Sequence, residues 1–495
     1  MYEILGFSPE QVEQYVYKLA GEEEEAGKKL WRHINSNANL LSLCYVPANS
    51  FIMCTSLLQV LQCDSSAVTL PSELTKIYKI AVKVFYFKRT EEFCDKHFSR
   101  EYLKSDELPS MKKKFEKLEG VAFEGIEEGK LIFGGKEVRG MEDSTLFHRL
   151  PDRRIDALKH EKQFCFIHLS MQEFFAARYL TNMSETELRN FVSENIKNGK
   201  WQLVFQFLAG LMEDKSHLPS EIITDLLPVE TEEIESADYN EKWTENDEKR
   251  KVTSWPTRDE RDLAVTLIKC INENSRMKLE AQRKLKQTNL NLVNFISCHL
   301  TAVECSSLVN VINVQQISHL DLSHNNIGPL GCLEICKLLK CRESQLSWLN
   351  LTGNQLIAEG AKYLTEAIIN NCQLHTLNLS FNKISDIEAQ LLAEAIDNNN
   401  CQLHKLDLSI NNISDTGAKH LAEAINNNCQ LRKLDLSVNN ISDTGAQHLA
   451  EAINNNNNCQ LHTLNLSYNH DITNIGKQDS RNLLSNGQSN CKLYF

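Results

Sequence analysis

Leu403-His404-Lys405-Leu406-Asp407-Leu408-Ser409-Ile410-Asn411 is the stretch whose reading decides the fold. Alternation places Leu406 and Leu408 on the buried face of a short strand, and Lys405, Asp407 and Ser409 on the other face. Asn411 stands where the strand ends. Its amide carries donors and an acceptor for backbone groups that would otherwise stay unpaired. Asp415-Thr416-Gly417-Ala418 then opens a helix whose apolar face is Leu421, Ala424 and Ile425. The helix is expected to stop at Asn426-Asn427-Asn428, because Asn tolerates a left-handed helix end.

The heart of that string, Leu-x-Leu-x-x-Asn, returns six times, with asparagines at Asn325, Asn354, Asn382, Asn411, Asn439 and Asn469, spaced 28 to 30 residues apart. A unit of one strand and one helix cannot bury its apolar face alone, so such units stack into a curved solenoid with a long concave surface. Val293, Phe295, Cys298 and Leu300 read as an earlier, degenerate unit with Cys in the Asn slot. The segment running to Phe495 reads as an incomplete one. Two rows vary along the expected concave face. One is His324, Gly353, Phe381, Ile410, Val438 and Tyr468. The other is His319, Trp348, Thr376, Lys405, Lys433 and Thr463. The Asp/Asn and Ser rows between them are nearly uniform and read as scaffold. An apolar or aromatic row beside a polar one suits a protein ligand.

The 16 cysteines do not suggest a metal centre. Cys372, Cys401, Cys429 and Cys459 share one slot of the repeat and are expected to stack inward as small hydrophobes. No Cys-x-x-Cys pair occurs, so no zinc site is expected. Cys332 and Cys336 share a helix face without a second pair. The chain has 495 residues, 42% hydrophobic and 24% charged, with a net charge of −13. That length allows several domains, and the acidic balance argues against nucleic-acid binding. The first residues do not read as a signal peptide, and none is expected from them. The apolar run Leu203 to Met212 is far shorter than the roughly 18 residues of a membrane span. A cytoplasmic protein with reduced thiols is expected.

The first 288 residues show no repeat and read as mostly helical. Ser8-Pro9-Glu10 starts a helical stretch over 8–33. Pro47 punctuates two apolar helices within 36–60, and another helix covers 72–90. Helices and short strands mix from about 115, with a strand at Cys165 to His168. Ser170-x-x-Glu173 reads as a capping box for a helix from Met171 to Leu180. Trp201 to Leu211 reads as a buried helix. Residues 229–250 read as an acidic surface loop or linker, and helix resumes over 257–284.

Phe166-Ile167-His168-Leu169-Ser170-Met171-Gln172-Glu173-Phe174-Phe175-Ala176-Ala177 resembles the winged-helix motif of the NOD-like receptors, cytosolic NACHT and leucine-rich-repeat proteins of innate immunity. Leu43-Cys44-Tyr45-Val46-Pro47 resembles the proline-bearing motif of the helical domain before it, and Leu5-Gly6-Phe7-Ser8 the transition into that domain. The resemblance covers essentially the whole chain. It implies a helical domain of a NACHT module at 1–110, a winged-helix domain at 111–183 and a second helical domain at 184–288. Ribonuclease-inhibitor-type leucine-rich repeats follow at 289–495. It also implies that the proline matched by Pro47 packs on adenine and that the histidine matched by His168 meets the β-phosphate of ADP.

The phosphate loop that such a switch needs, Gly-x-x-x-x-Gly-Lys-Ser/Thr, does not occur in this sequence. Gly135-Lys136 is followed by Glu137, and Gly199-Lys200 by Trp201. A truncated paralogue or a piece of a longer product is the expectation. No cofactor is expected for this chain, with ADP or ATP entering only where an upstream nucleotide-binding core exists. The expected activity is non-enzymatic and regulatory: contact with a protein ligand or signalling partner through the repeats, self-association included. The alternative is a fragment of a nucleotide-switched ATPase. A GTPase-activating role ranks last, since Arg342, Arg432 and Arg481 stand in no catalytic pattern.

Overall fold

The structure is a computed structural model that describes residues 6–63, 70–87, 109–142, 144–154, 160–213, 215, 220–227, 232–235, 251–288, 290–312, 315–370, 373–398, 400–427, 430–456, 459–486 and 491–495. Two compact units emerge: Met1–Leu227 with Val265–Ala281, and Pro228–Ala264 with Gln282–Phe495.

The first unit is helical with one small sheet. Ser8 and Gln11 form a reciprocal capping box at the start of helix Pro9–Ala20. Gly21, at φ 59°, ends that helix. The expected stretch 8–33 is therefore two helices, the second being Glu24–Asn35. Pro47 opens helix Pro47–Cys63 directly after helix Ala38–Cys44, as its fixed φ favours. The Phe7 N–H donates to the Tyr45 carbonyl at 2.7 Å, and a Cβ on Gly6 would lie 2.4 Å from that same oxygen. The Gly6-Phe7 and Tyr45-Val46-Pro47 strings are thus physically joined.

Helix Leu74–Phe87 starts on a buried carboxylate. Glu273 accepts the N–H of Leu74 at 3.3 Å and of Thr75 at 2.8 Å, and Gln206 Nε2 donates to it at 3.0 Å. Helix Pro109–Glu128 packs on helix Leu169–Leu180, with Phe115 edge-on to Phe175. Strands Phe133–Gly134 and Phe147–Arg154 flank strand His160–Phe166 antiparallel. The expected Ser170 capping box does not form. The helix begins two residues earlier, with His168 as its cap, because the imidazole Nδ1 takes the Ser170 N–H. The buried helix expected at Trp201 to Leu211 is Gln202–Met212 after a short 3₁₀ turn.

The second unit is the solenoid. Eight short parallel strands run in register from Leu292–Asn294 through Lys492–Tyr494, so the degenerate first unit and the final segment both join the sheet. A helix packs behind the strand of each full repeat and against its neighbours. The sheet also continues the other way. Strand Lys251–Trp255 pairs parallel with Leu292–Asn294, and Glu232–Glu235 pairs antiparallel with Lys251–Trp255. This corrects the loop expected at 229–250: its described part is a strand, and the residues between lie outside the described ones. It also places residues that had been grouped in the span 184–288 on the solenoid's first strand. The physical reason is an edge. The first repeat strand has backbone groups to satisfy, and the Val252-Thr253-Ser254-Trp255 run supplies them, with Trp255 buried against Phe295 at 5.5 Å.

The repeat asparagines use both ends of the amide to join neighbouring units, except Asn354, which uses its nitrogen. Asn411 Oδ1 accepts the N–H of Asn382 and Ile384 at 3.0 Å, and Nδ2 donates to the carbonyls of Leu379, Leu408 and Ser409. A second column runs along the helix starts. Asp386 accepts the N–H of Ser414 and Gly417, and Asp415 repeats this with Ser442 and Gly445. Glycine is required there, since a Cβ on Gly445 would sit 2.4 Å from Asp415 Oδ1. Cys401 is buried as expected of its column, Cys459 is half-buried, and Cys372 and Cys429 lie outside the described residues. The described cysteines are free thiols, and no group of metal-ligating side chains occurs among the described residues. No described helix is long and apolar enough to cross a membrane.

Candidate functional site

The middle of the concave face is closed chemistry. Asp321, Asn350, Asn378, Asp407, Asp435 and Asn465 each turn a side-chain oxygen onto the N–H two residues ahead, forming Asx turns with the Ser/Thr row. Asn350 and Asn465 also donate to the carboxylates of Asp321 and Asp435 beside them. These two rows are scaffold.

The flanking rows differ from it. His324, Gly353, Phe381, Ile410, Val438 and Tyr468 all sit in the left-handed region, with φ between 53° and 66°. The sheet imposes this, because the N–H of the first five must reach the carbonyl of the next repeat's Ser/Thr at 2.7–3.0 Å. A non-glycine residue there costs about 1–2 kcal/mol, and a β-branched one is a marked outlier. Ile410 and Val438 are β-branched and stay 46% and 40% exposed, while Phe381 and Tyr468 stay 59% and 71% exposed. A large share of each of these side chains lies outside the fold's own packing.

The second row, His319, Trp348, Thr376, Lys405, Lys433 and Thr463, is one unbroken line in the sheet register. Trp348 is the exception to its expected role. Only 7% of it is exposed, with its ring 5.8 Å from that of His319, so it fills the wall rather than offering an anchor. Burial lowers the His319 pKa, and its Nδ1 lies 2.8 Å from Ser318 Oγ.

A third column escaped the sequence reading: His375, His404, Arg432 and His462, one residue ahead of the strand row. The recurrence of a basic or imidazole side chain at repeat spacing was the available signal. His375 and His404 lie ring to ring at 5.1 Å. The His404 pKa is lowered by burial first, and then by the neighbouring charges of Arg432, His375 and Lys405.

In the first unit, His168 Nδ1 lies 2.6 Å from Ser170 Oγ, which also meets the Tyr78 hydroxyl at 2.6 Å. Nδ1 accepts the helix cap, so the neutral Nε2–H tautomer fits, and burial lowers the His168 pKa accordingly. Pro47 is exposed at its helix start. Both residues thus have local structural work.

Glu173, one turn along the same helix, is pushed by burial up to about 7. A carboxyl raised above its unfolded range stabilises the fold most below that range and loses the contribution as pH rises through about 7. Glu173→Gln stays neutral. It is expected to raise Tm over the parent at about pH 8.5 and to change it little at about pH 4.5. Thermal melts at both pH values check this, and equal shifts would remove the carboxylate as the cause.

A family model described as Leucine Rich repeat matches residues 317–336, 370–393, 399–422 and 427–450. Human NACHT, LRR and PYD domains-containing protein 3 is 24% identical over 471 residues, covering 79% of this chain and 43% of that protein. Mouse NACHT, LRR and PYD domains-containing protein 12 is 24% identical over 431 residues, covering 80% of this chain and 38% of that protein. The human protein 12 is 35% identical over a shorter 102 residues. The chain spans less than half the length of these curated relatives. Motif strings, repeat geometry and similarity agree, and the chain is similar over most of its length to the NACHT and leucine-rich-repeat proteins.

Proposed function

We propose that this chain is a receptor-like protein of innate immunity that acts in the cytoplasm by protein–protein contact through its repeats, in a regulatory role and without catalysis of its own. The carrying observation is the row of exposed apolar side chains held at left-handed backbone positions. Local physics favours Gly or Asn there, and Phe381, Ile410, Val438 and Tyr468 depart from it while staying 40–71% exposed. Such contradictions concentrate at functional sites. Lys405, Lys433, Thr376 and Thr463 form the polar flank of the same surface, and His324 its first member. Pro47 and His168 serve as helix start and helix cap in this reading. ADP or ATP would be held only with a nucleotide-binding core supplied upstream of these motifs.

A photo-crosslinking amino acid at Phe381 or Tyr468 tests the surface. A discrete protein adduct is expected in cells from either position and none from the exposed helix position Glu394. Ile410→Gly separates surface from scaffold. Relief of the left-handed cost against glycine's extra chain entropy should leave stability unchanged or higher by up to about 1 kcal/mol, while the adduct weakens. Adducts equal at all positions would remove this face from consideration.

A further inference from the structure

The concave face has two chemically opposite rims, and this deepens the reading above. At the N-terminal ends of the strands lie Arg432, Lys405, Lys433 and Lys492, with the imidazoles of His404 and His462 among them. At the C-terminal ends lie the exposed Phe381, Ile410, Val438 and Tyr468. Between the rims Asp407 and Asp435 keep their charge, each with an oxygen turned onto its own repeat, and the cations at the N-terminal ends outnumber these two. A cationic rim is unusual on this chain, whose net charge is −13. Nonspecific attraction of acidic partners is therefore excluded by the whole-chain charge, and attraction has to be local.

We propose that this face binds an acidic amphipathic helix of a partner protein, laid along the solenoid axis with its carboxylates on the Arg432/Lys405/Lys433 rim and its apolar stripe on the Phe381–Tyr468 rim. Spacing supports a helix. Neighbouring strands lie about 4.8 Å apart, and one helical turn rises about 5.4 Å, so successive turns meet successive repeats. The four apolar rim positions span three strand steps, about 14 Å, or roughly three helical turns. The i, i+3/i+4 stripe of a helix addresses such a row, as helix-in-groove recognition requires.

The test uses the full chain and fluorescein-labelled synthetic peptides of about four turns, read by fluorescence anisotropy. One carries Glu on one face and Leu on the other, a second is its scramble, and a third replaces Glu by Lys. Only the first is expected to bind. Its affinity should fall at least tenfold in Lys405→Glu/Arg432→Glu and in Phe381→Ser/Tyr468→Ser, and should weaken as salt is raised. Equal binding of the scramble would make this a plain polyanion site, and equal binding of the Lys peptide would remove the charge assignment. Either result overturns the proposal on the parent protein, independently of whether a variant folds. Lack of peptide binding beside a discrete adduct at Phe381 rejects the helix and leaves the surface. Lack of both rejects the surface itself.

Discussion

Asn382→Ala is expected to lower the unfolding free energy of the solenoid by about 3–5 kcal/mol. The side chain is fully buried. Its Oδ1 accepts the N–H of Asn354 at 2.9 Å and of Leu356 at 3.3 Å, and its Nδ2 donates to the carbonyls of Leu351, Leu379 and Ser380. Alanine strands these groups in the core, and each buried orphan costs about 1–3 kcal/mol, with incomplete additivity. Asn354 supplies the control. It is equally buried, and its Nδ2 reaches the carbonyls of Leu322 and Thr352, but its Oδ1 has no hydrogen-bond partner among the described residues. The preceding loop turns through Gly328, at φ 60°, whose N–H goes to the Asn354 carbonyl instead. Asn354→Ala should therefore cost clearly less. Urea titrations of both variants decide the matter, and equal losses would show that cavity formation rather than hydrogen bonding sets the cost.

The second large effect lies in the first unit. Arg178→Met is expected to destabilise it by about 3–5 kcal/mol. Arg178 Nε meets Glu119 Oε1 at 2.8 Å, Asn182 Nδ2 holds the other carboxylate oxygen at 3.0 Å, and the guanidinium lies over the Phe115 ring at 5.7 Å. The Glu119 side chain is only 4% exposed, so losing Arg178 leaves a buried carboxylate without its cation. Replacing the pair together, Glu119→Met/Arg178→Met, removes the stranded charge and should recover most of the loss. A double-mutant cycle measures this. A single-variant loss below about 1 kcal/mol would place the pair with ordinary surface ion pairs.

The repeat was legible because everything that defines it is local. Leu406 and Leu408 fix the strand face, Asn411 fixes its end, and the next unit restates both. The helices opening at Pro9 and Pro47 were legible for the same reason. Three features were not. The strand Lys251–Trp255 owes its state to a sheet edge formed by residues some forty positions later, and nothing in its own composition announces that partner. The capping box at Ser170 has the right residue types, but His168 caps the helix instead and shares the serine hydroxyl with Tyr78. Trp348 shares a register line with exposed lysines yet lies buried, because a large ring beside His319 folds onto the wall. In the candidate site, the row itself was legible, whereas its left-handed backbone was not. That conformation is dictated by the carbonyl of the following repeat.

The column of aspartates at the helix starts bears on how such a chain can change length. Asp386 bonds Ser414 and Gly417 as Asp415 bonds Ser442 and Gly445, and Asp443 offers the same oxygens to Thr473. Each joint presents the same socket to the next. Excision of one whole period would let Asp386 meet Ser442 and Gly445 with no orphaned group, and insertion of one would close equally well. The joints set the shape of a coil but not the number of coils. A gene encoding this array can therefore lengthen or shorten its contact surface in single steps without redesigning the interior.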